Sequence, residues 1–181
     1  MQITGGYLKS RKIDSPKSSN VRPTLSQIRE SIFSVLFSIT EFDGKSFLDA
    51  FAGSGIMGFE AVSRGFSSVC FFEKDKKTFF LLKENAKKLG IQADFYPGDT
   101  IKLLSKLSKD GKSFDVIYVD PPYQSGLYDS VLKIVKEKNL LTDNGIVILE
   151  HPADLDIDID GYELIKQKTY SGKTLSFLKN N

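Results

Sequence analysis

Cysteine and histidine each occur once in the 181 residues, as Cys70 and His151. A single thiol excludes an intrachain disulfide, a cysteine-ligated zinc site and a Cys-x-x-Cys redox pair, and a single imidazole leaves no basis for a histidine metal cluster. No metal is expected. Long apolar runs are also missing: no window approaches about 18 uninterrupted apolar residues, and the opening MQITGGYLKSRK has no apolar signal core. These absences disfavour a membrane span and a Sec-type leader and make the cytoplasm the expected location. Repeats and low-complexity tracts are absent as well. What is present is an ordinary globular composition, 40% hydrophobic and 27% charged. The length suits one domain that buries roughly 70% of its unfolded surface.

The net charge of +2 conceals an asymmetry. Residues 1–29 carry six basic side chains (Lys9, Arg11, Lys12, Lys17, Arg22 and Arg29) against the single acid Asp14, a net of +5, while the remainder carries 19 basic and 22 acidic groups, a net of −3. A cationic arm on a mildly acidic body suits an anionic partner such as nucleic acid, to which it would add affinity rather than sequence choice.

Hydrophobic periodicity divides the rest into alternating elements. Thr24 and Gln27 have the form of a capping box, and Leu25, Ile28, Ile32, Val35, Leu36 and Ile39 recur at helical spacing, which predicts an amphipathic helix over 24–40. Apolar runs bounded by Gly, Asp and Pro follow at 46–51, 68–73, 93–97, 114–120 and 145–150, with helical stretches near 56–64, 76–89, 99–109 and 127–138. Such alternation predicts an α/β fold with a parallel sheet and helices on both faces. The closing YELIKQKTYSGKTLSFLKN has no room for a crossover helix and predicts two strands around a Ser171-Gly172 turn, an antiparallel edge. DLDIDID (154–160) reads as a loop or a short edge strand.

Asp49-Ala50-Phe51-Ala52-Gly53-Ser54-Gly55-Ile56-Met57-Gly58 leaves the first predicted strand and opens a helix. It contains G-x-G-x-x-G, whose glycines let backbone approach a ligand closely, so a nicotinamide or flavin oxidoreductase is one reading. Glu73, the acid ending the next strand, is placed for two ribose hydroxyls, which dinucleotides and S-adenosylmethionine share. Asp49 separates the two: a carboxylate there suits the cationic methionine end of S-adenosylmethionine and opposes a pyrophosphate.

Asp120-Pro121-Pro122-Tyr123 ends the apolar strand FDVIYV. Two prolines without N–H groups cannot continue a ladder, so the chain leaves the sheet rigidly with its carbonyls free to accept. A carboxylate, a free carbonyl and a flat aromatic fit the methylation of an exocyclic amine on an aromatic base. Acceptance of the amine N–H bonds by Asp120 and the Pro121 carbonyl would localise the lone pair and stabilise the developing positive charge, while Tyr123 stacks on the base. Such a base must be unpaired or flipped. Cys70, inside an apolar strand, reads as a small buried hydrophobe, and its position argues against cytosine-C5 methylation, which needs a nucleophilic cysteine near the catalytic loop. Glu150 and His151 end a strand on the ligand-binding rim.

With these segments in view the chain resembles the class I S-adenosylmethionine-dependent methyltransferases, and more narrowly the bacterial 16S ribosomal RNA guanine-N2 methyltransferase family. The likeness runs through ITGGYLKSRKI (3–13), Arg22-Pro23-Thr24, IRESIFSVLF (28–37), DAFAGSGIMGFEAVSRG (49–65), FFEKD (71–75), DPPY (120–123) and the strand ending at Glu150. The resemblance implies a Rossmann-like sheet of seven mostly parallel strands with the last strand antiparallel. It implies a cofactor site drawn from Asp49, Phe51, Ala52, Gly53, Gly55, Glu73, Lys74, Asp99 and Asp120, and catalysis at Asp120, Pro121, Pro122 and Tyr123. It further implies that residues 1–23 form a small basic hairpin extension of a 24–181 methyltransferase domain, holding 16S rRNA or the assembling small subunit through Lys9, Arg11, Lys12, Arg22, Thr24 and Arg29. The substrate so implied is the N2 amine of guanine 966, and the chain is expected to act as a monomer. Where the family usually has glycine before the second basic residue of its first segment, this chain has Ser10. Adenine-N6 or cytosine-N4 of DNA, or a glutamine amide of a protein, presents the same planar amine and stays open on the residues alone. So do an NAD-dependent oxidoreductase and a noncatalytic RNA-binding module.

Overall fold

Apolar runs punctuated by Gly, Asp and Pro become the strands. The computed structural model describes residues 1–16, 26–122, 126–170 and 172–181, which form five helices and seven strands in the order α1 (Ser26–Ile39), β1 (Ser46–Asp49), α2 (Ile56–Ser63), β2 (Ser68–Glu73), α3 (Lys76–Leu89), β3 (Asp94–Pro97), α4 (Thr100–Lys109), β4 (Phe114–Val119), α5 (Leu127–Glu137), β5 (Leu141–Pro152), β6 (Tyr162–Tyr170) and β7 (Lys173–Asn180). The capping-box residue Thr24 lies outside the described residues.

One sheet takes the order β3-β2-β1-β4-β5-β7-β6. The pairings through β5 are parallel, and β7 runs antiparallel to both β5 and β6. Helices cover both faces, because successive strand residues point to opposite sides. Phe47, Val69, Phe71, Val116, Tyr118, Ile146 and Ile148 share one core with residues of α1, α2 and α3. Leu48, Cys70, Phe72, Ile117, Val119, Val147 and Leu149 share the other with α4 and α5.

Three details depart from the pattern read in the sequence. β5 starts at Leu141 rather than at Gly145: Leu141 pairs with Phe114 across an irregular register before regular pairing resumes at Ile146, so the turn-like Asp143-Asn144-Gly145 is carried inside a bulged strand. The final strand is not the edge. β7, apolar on both sides at Leu175, Phe177 and Leu178, inserts between β5 and the largely exposed β6. The acidic 154–160 stretch forms no strand, and Ile157 and Ile159 lean on the α4/α5 core from a loop.

The N-terminal residues fold back as a hairpin. Gln2 bridges Lys12, the Ile3 N–H donates to the Arg11 carbonyl at 3.0 Å and the Ile13 N–H to the Met1 carbonyl at 2.9 Å. Ile3, Leu8 and Ile13 are buried in the same core as α1 and α2. Gly6, at φ +75°, passes so close to the Ser63 carbonyl that a Cβ would collide with it, which accounts for glycine at this position. Ser10 adopts φ +71°, the left-handed conformation that makes glycine the ordinary occupant of that position.

Candidate active site

β1 and β4 lie side by side while their connections depart in opposite directions, β1 towards β2 and β3, β4 towards β5. A crevice opens beyond the carboxyl ends of strands at such a switch point. Here it is a cleft of about 1540 Å³ whose walls include Asp49, Phe51, Ala52, Gly53, Glu73, Lys74, Asp99, Asp120, Pro121 and Pro122.

The glycine loop is spliced to its neighbours: the Ala50 N–H donates to the Tyr118 carbonyl at 3.0 Å and the Ala52 N–H to the Phe72 carbonyl at 2.9 Å. Gly53 sits at φ +54° with nothing within 4 Å of where a Cβ would stand, so the loop offers bare backbone to the cleft. Gly58 does a different job, because a Cβ there would strike the Phe71 ring; it lets α2 press onto β2. Gly55 caps α2 at φ +87°.

Asp49 is 1% exposed. Its Oδ2 accepts the Gly58 N–H at 3.2 Å, and its Oδ1 has no hydrogen-bond partner. Burial pushes its carboxyl up to about 7, and the Glu73 carboxylate adds to the rise. An orphaned carboxylate oxygen facing a cleft calls for a cation. Glu73 accepts the Gly53 N–H at 2.8 Å on Oε2 and the Asp75 N–H at 2.7 Å on Oε1, and burial raises its carboxyl. Asp99 caps α4 by accepting the Lys102 N–H at 3.4 Å and pairs with exposed Lys74 at 3.4 Å across the mouth.

Asp120 follows β4 directly, on the wall beside Asp49. Burial, with Glu150 nearby, pushes its carboxyl up to about 8, and Lys173 works against that rise. Pro121 is buried and Pro122 exposed; Tyr123 lies outside the described residues. Behind Asp120 lies a polar network that sequence reasoning did not find. The Tyr118 hydroxyl donates to Glu150 Oε2 at 2.6 Å, the Tyr128 hydroxyl donates to the Glu150 carbonyl at 2.8 Å, and Lys173 pairs with Glu150 and stands 3.9 Å from Asp120. His151 lines the cleft, but its ring is occupied: Nε2 lies 3.0 Å from Ser176 Oγ and Nδ1 2.9 Å from the Pro152 carbonyl. Cys70 is buried in the α4/α5 core, and burial pushes its thiol up to about 12.

Among the basic residues singled out for RNA, Lys9, Arg11 and Lys12 are exposed on the hairpin, whereas Arg22 and Thr24 lie outside the described residues. Arg29 requires a correction. It is 4% exposed, its Nε paired at 3.2 Å with Glu60 Oε1 and its Nη2 donating at 2.8 Å to the Gln2 carbonyl. Neutralising a fully buried glutamate holds it inside the protein, away from any phosphate. The available signal was Glu60 itself, an acid set among Met57, Phe59 and Ala61 in a helix otherwise made for the core.

A family model described as Conserved hypothetical protein 95 matches residues 1–179. Ribosomal RNA small subunit methyltransferase D of Buchnera aphidicola is 35% identical over 168 residues, which cover 92% of this chain and 86% of that protein. The chain belongs to this family. The resemblance drawn from the N-terminal, glycine-loop and Asp-Pro-Pro-Tyr segments is thereby borne out at the level of the 16S rRNA methyltransferase family. A solved structure of a hypothetical protein from Thermus thermophilus superposes with a TM-score of 0.86 at 28% identity, covering 98% of each chain. The fold is also that of an RNA methyltransferase from Salinibacter ruber solved with S-adenosyl-L-homocysteine, at TM-score 0.65 and 17% identity over 86% of this chain and 92% of that one. The relatives are methyltransferases, as the carboxylate at Asp49 favoured over a dinucleotide. Among the described residues no helix is long and apolar enough to cross a membrane.

Proposed function

We propose that this protein transfers the methyl group of S-adenosylmethionine to the exocyclic N2 amine of a guanine in the 16S rRNA of the small ribosomal subunit, with guanine 966 the position that the family resemblance suggests. The observation that carries the reading is the pair of carboxylates on the neighbouring strand ends of β1 and β4, Asp49 buried and Asp120 half-buried, lining one cleft.

S-adenosylmethionine suits the residues present. The unpartnered Asp49 oxygen answers an ammonium, Glu73 retains lone pairs for ribose hydroxyls, and Asp99, with Ile101 beside it on the cleft wall, is the residue that the family resemblance assigns to the adenine. Bound there, the donor supplies an electrophilic methyl on a sulfonium. Asp120 and the Pro121 carbonyl accept the two N–H bonds of the incoming amine, drawing its lone pair out of conjugation and stabilising the charge it acquires. The base reaches this rim only when unpaired. Lys9, Arg11 and Lys12 supply phosphate contacts from the hairpin, and a single chain carries every group so far named, so a monomer suffices.

The test is labelled transfer to small subunits or 16S rRNA lacking individual methyl marks, followed by mapping of the modified nucleotide. Label on an N2-methylguanine supports the reading; label on adenine, cytosine or protein, or none at all, overturns it.

Asp49 adds a pH signature. Its folded carboxyl lies near 7 against 3.8 unfolded, so its contribution to stability is complete below about pH 4 and lost as pH rises to about 7, a change on the order of 4 kcal/mol. A cationic ligand reverses the preference by favouring the carboxylate. Calorimetric affinity for S-adenosylhomocysteine is expected to rise about tenfold between pH 6 and 8, and Asp49→Asn is expected to bind weakly and without that slope.

A further inference from the structure

Glu150 and Asp120, two carboxylates on adjacent strand ends, share one ammonium. Glu150 is fully buried where β5 reaches the rim, with Oε2 taken by the Tyr118 hydroxyl and Oε1 paired with Lys173 Nζ. The same Nζ stands 3.9 Å from Asp120 Oδ1, and the lysine remains 26% exposed, on the cleft wall. Its arrival there depends on topology: β7 returns antiparallel along β5 with Lys173 opposite Pro152, so a residue remote from every sequence motif lands beside the substrate rim. The titratable and charged groups facing Asp120 are Asp49 from β1, Tyr118 from β4, Tyr128 from α5, Glu150 and His151 from β5, and Lys173 from β7. His151 is held neutral by burial. Among these described groups the positive charge is that of Lys173.

We propose that Lys173 is a positioning residue for methyl transfer: standing between Glu150 and Asp120, it offsets their mutual repulsion and favours the carboxylate form of Asp120 that accepts the amine. The inference rests on the reading of Asp120 as the amine acceptor. Without the ammonium, Glu150 and Asp49 both oppose ionisation of Asp120, and a protonated Asp120 presents a hydroxyl where an acceptor is needed. Desolvated neighbours make such a charge count for more than it would on an open surface.

The experiment follows methyl transfer at saturating S-adenosylmethionine from pH 6 to 9.5 in the native protein, Lys173→Met, Lys173→Arg and the double variant Lys173→Met/Glu150→Gln. Calorimetric binding of S-adenosylhomocysteine confirms that each site is formed. Lys173→Met is expected to lower kcat at pH 7.5 by about tenfold or more, with S-adenosylhomocysteine affinity within about threefold of native, and to move the rise of kcat with pH upward by about one to two pH units. Lys173→Arg should recover most of the rate. The double variant removes one charge of each sign and should return the profile towards the native position, which a purely structural lysine would not do. If Lys173→Met does not fold, Lys173→Gln carries the same expectations. A loss of rate with an unmoved profile, or an unchanged rate, overturns the proposal; a native protein that methylates no RNA overturns the underlying reading instead.

Discussion

Asp120→Ala is expected to transfer methyl about 10²–10³-fold more slowly than the native protein at saturating donor, the range seen when one preorganised polar group is removed from a developing charge. Affinity for S-adenosylhomocysteine should change little, because Asp49, Glu73 and the bare backbone at Gly53 line the other part of the cleft. The size of the effect follows from how Asp120 is held. It leaves β4 in register with β1, is stiffened by two prolines and is backed by the Tyr118–Glu150–Lys173 network. Asp120→Asn keeps one acceptor oxygen and should lose less, about tenfold. It also separates charge from hydrogen bonding. With the native carboxyl raised to about 8, the acceptor form grows as pH increases, so native kcat should climb through pH 8 while the asparagine variant stays flat. Equal rates for Asp120→Ala and native protein, measured with labelled donor, would remove Asp120 from the chemistry.

The parts of this site legible in the sequence are those made by short, contiguous stretches. Asp49, the glycine loop, Glu73 and the Asp-Pro-Pro run each sit where an apolar strand stops, and a parallel sheet brings such stops to one edge. β1, β2, β3 and β4 were legible for the same reason, each being a brief apolar run between residues that break a ladder. Long-range pairing was not. The hairpin around Ser171-Gly172 could be read, but the insertion of β7 between β5 and β6 depends on which strand is apolar on both sides, and the place of Lys173 depends on that insertion. Asp143-Asn144-Gly145 carries local turn chemistry, and the pairing of Leu141 with Phe114 overrides it. The same holds at the N-terminus: a count of positive charges grouped Arg29 with Lys9, Arg11 and Lys12, although one of the four belongs to a buried pair.

That pair gives the largest expected effect on stability. Glu60 is 0% exposed and joins three elements: Oε1 accepts the Thr4 N–H at 2.7 Å, the Thr4 hydroxyl at 2.8 Å and Arg29 Nε at 3.2 Å, while Oε2 receives Arg64 Nε at 3.2 Å. Glu60→Leu removes the carboxylate that pairs with the buried Arg29 guanidinium and leaves the Thr4 N–H without its acceptor, which is expected to cost about 3–5 kcal/mol. In a domain of this size that corresponds to a fall in Tm of roughly 6–20 °C. Arg29→Met leaves the complementary charge, but Arg64 still pairs with it, so a smaller loss of about 2–3 kcal/mol is expected. The double variant should lose less than the sum of the singles, because neither charge is then abandoned by the other. Thermal and urea unfolding measure all three. RNA binding as a function of salt then tells a buried strut from a phosphate contact. Charge-removing changes at Lys9, Arg11 or Lys12 should each flatten the salt dependence by about one counterion while leaving Tm nearly unchanged. Arg29→Met should lower Tm and leave the salt slope where it was; a flattened slope in that variant would return Arg29 to the RNA surface.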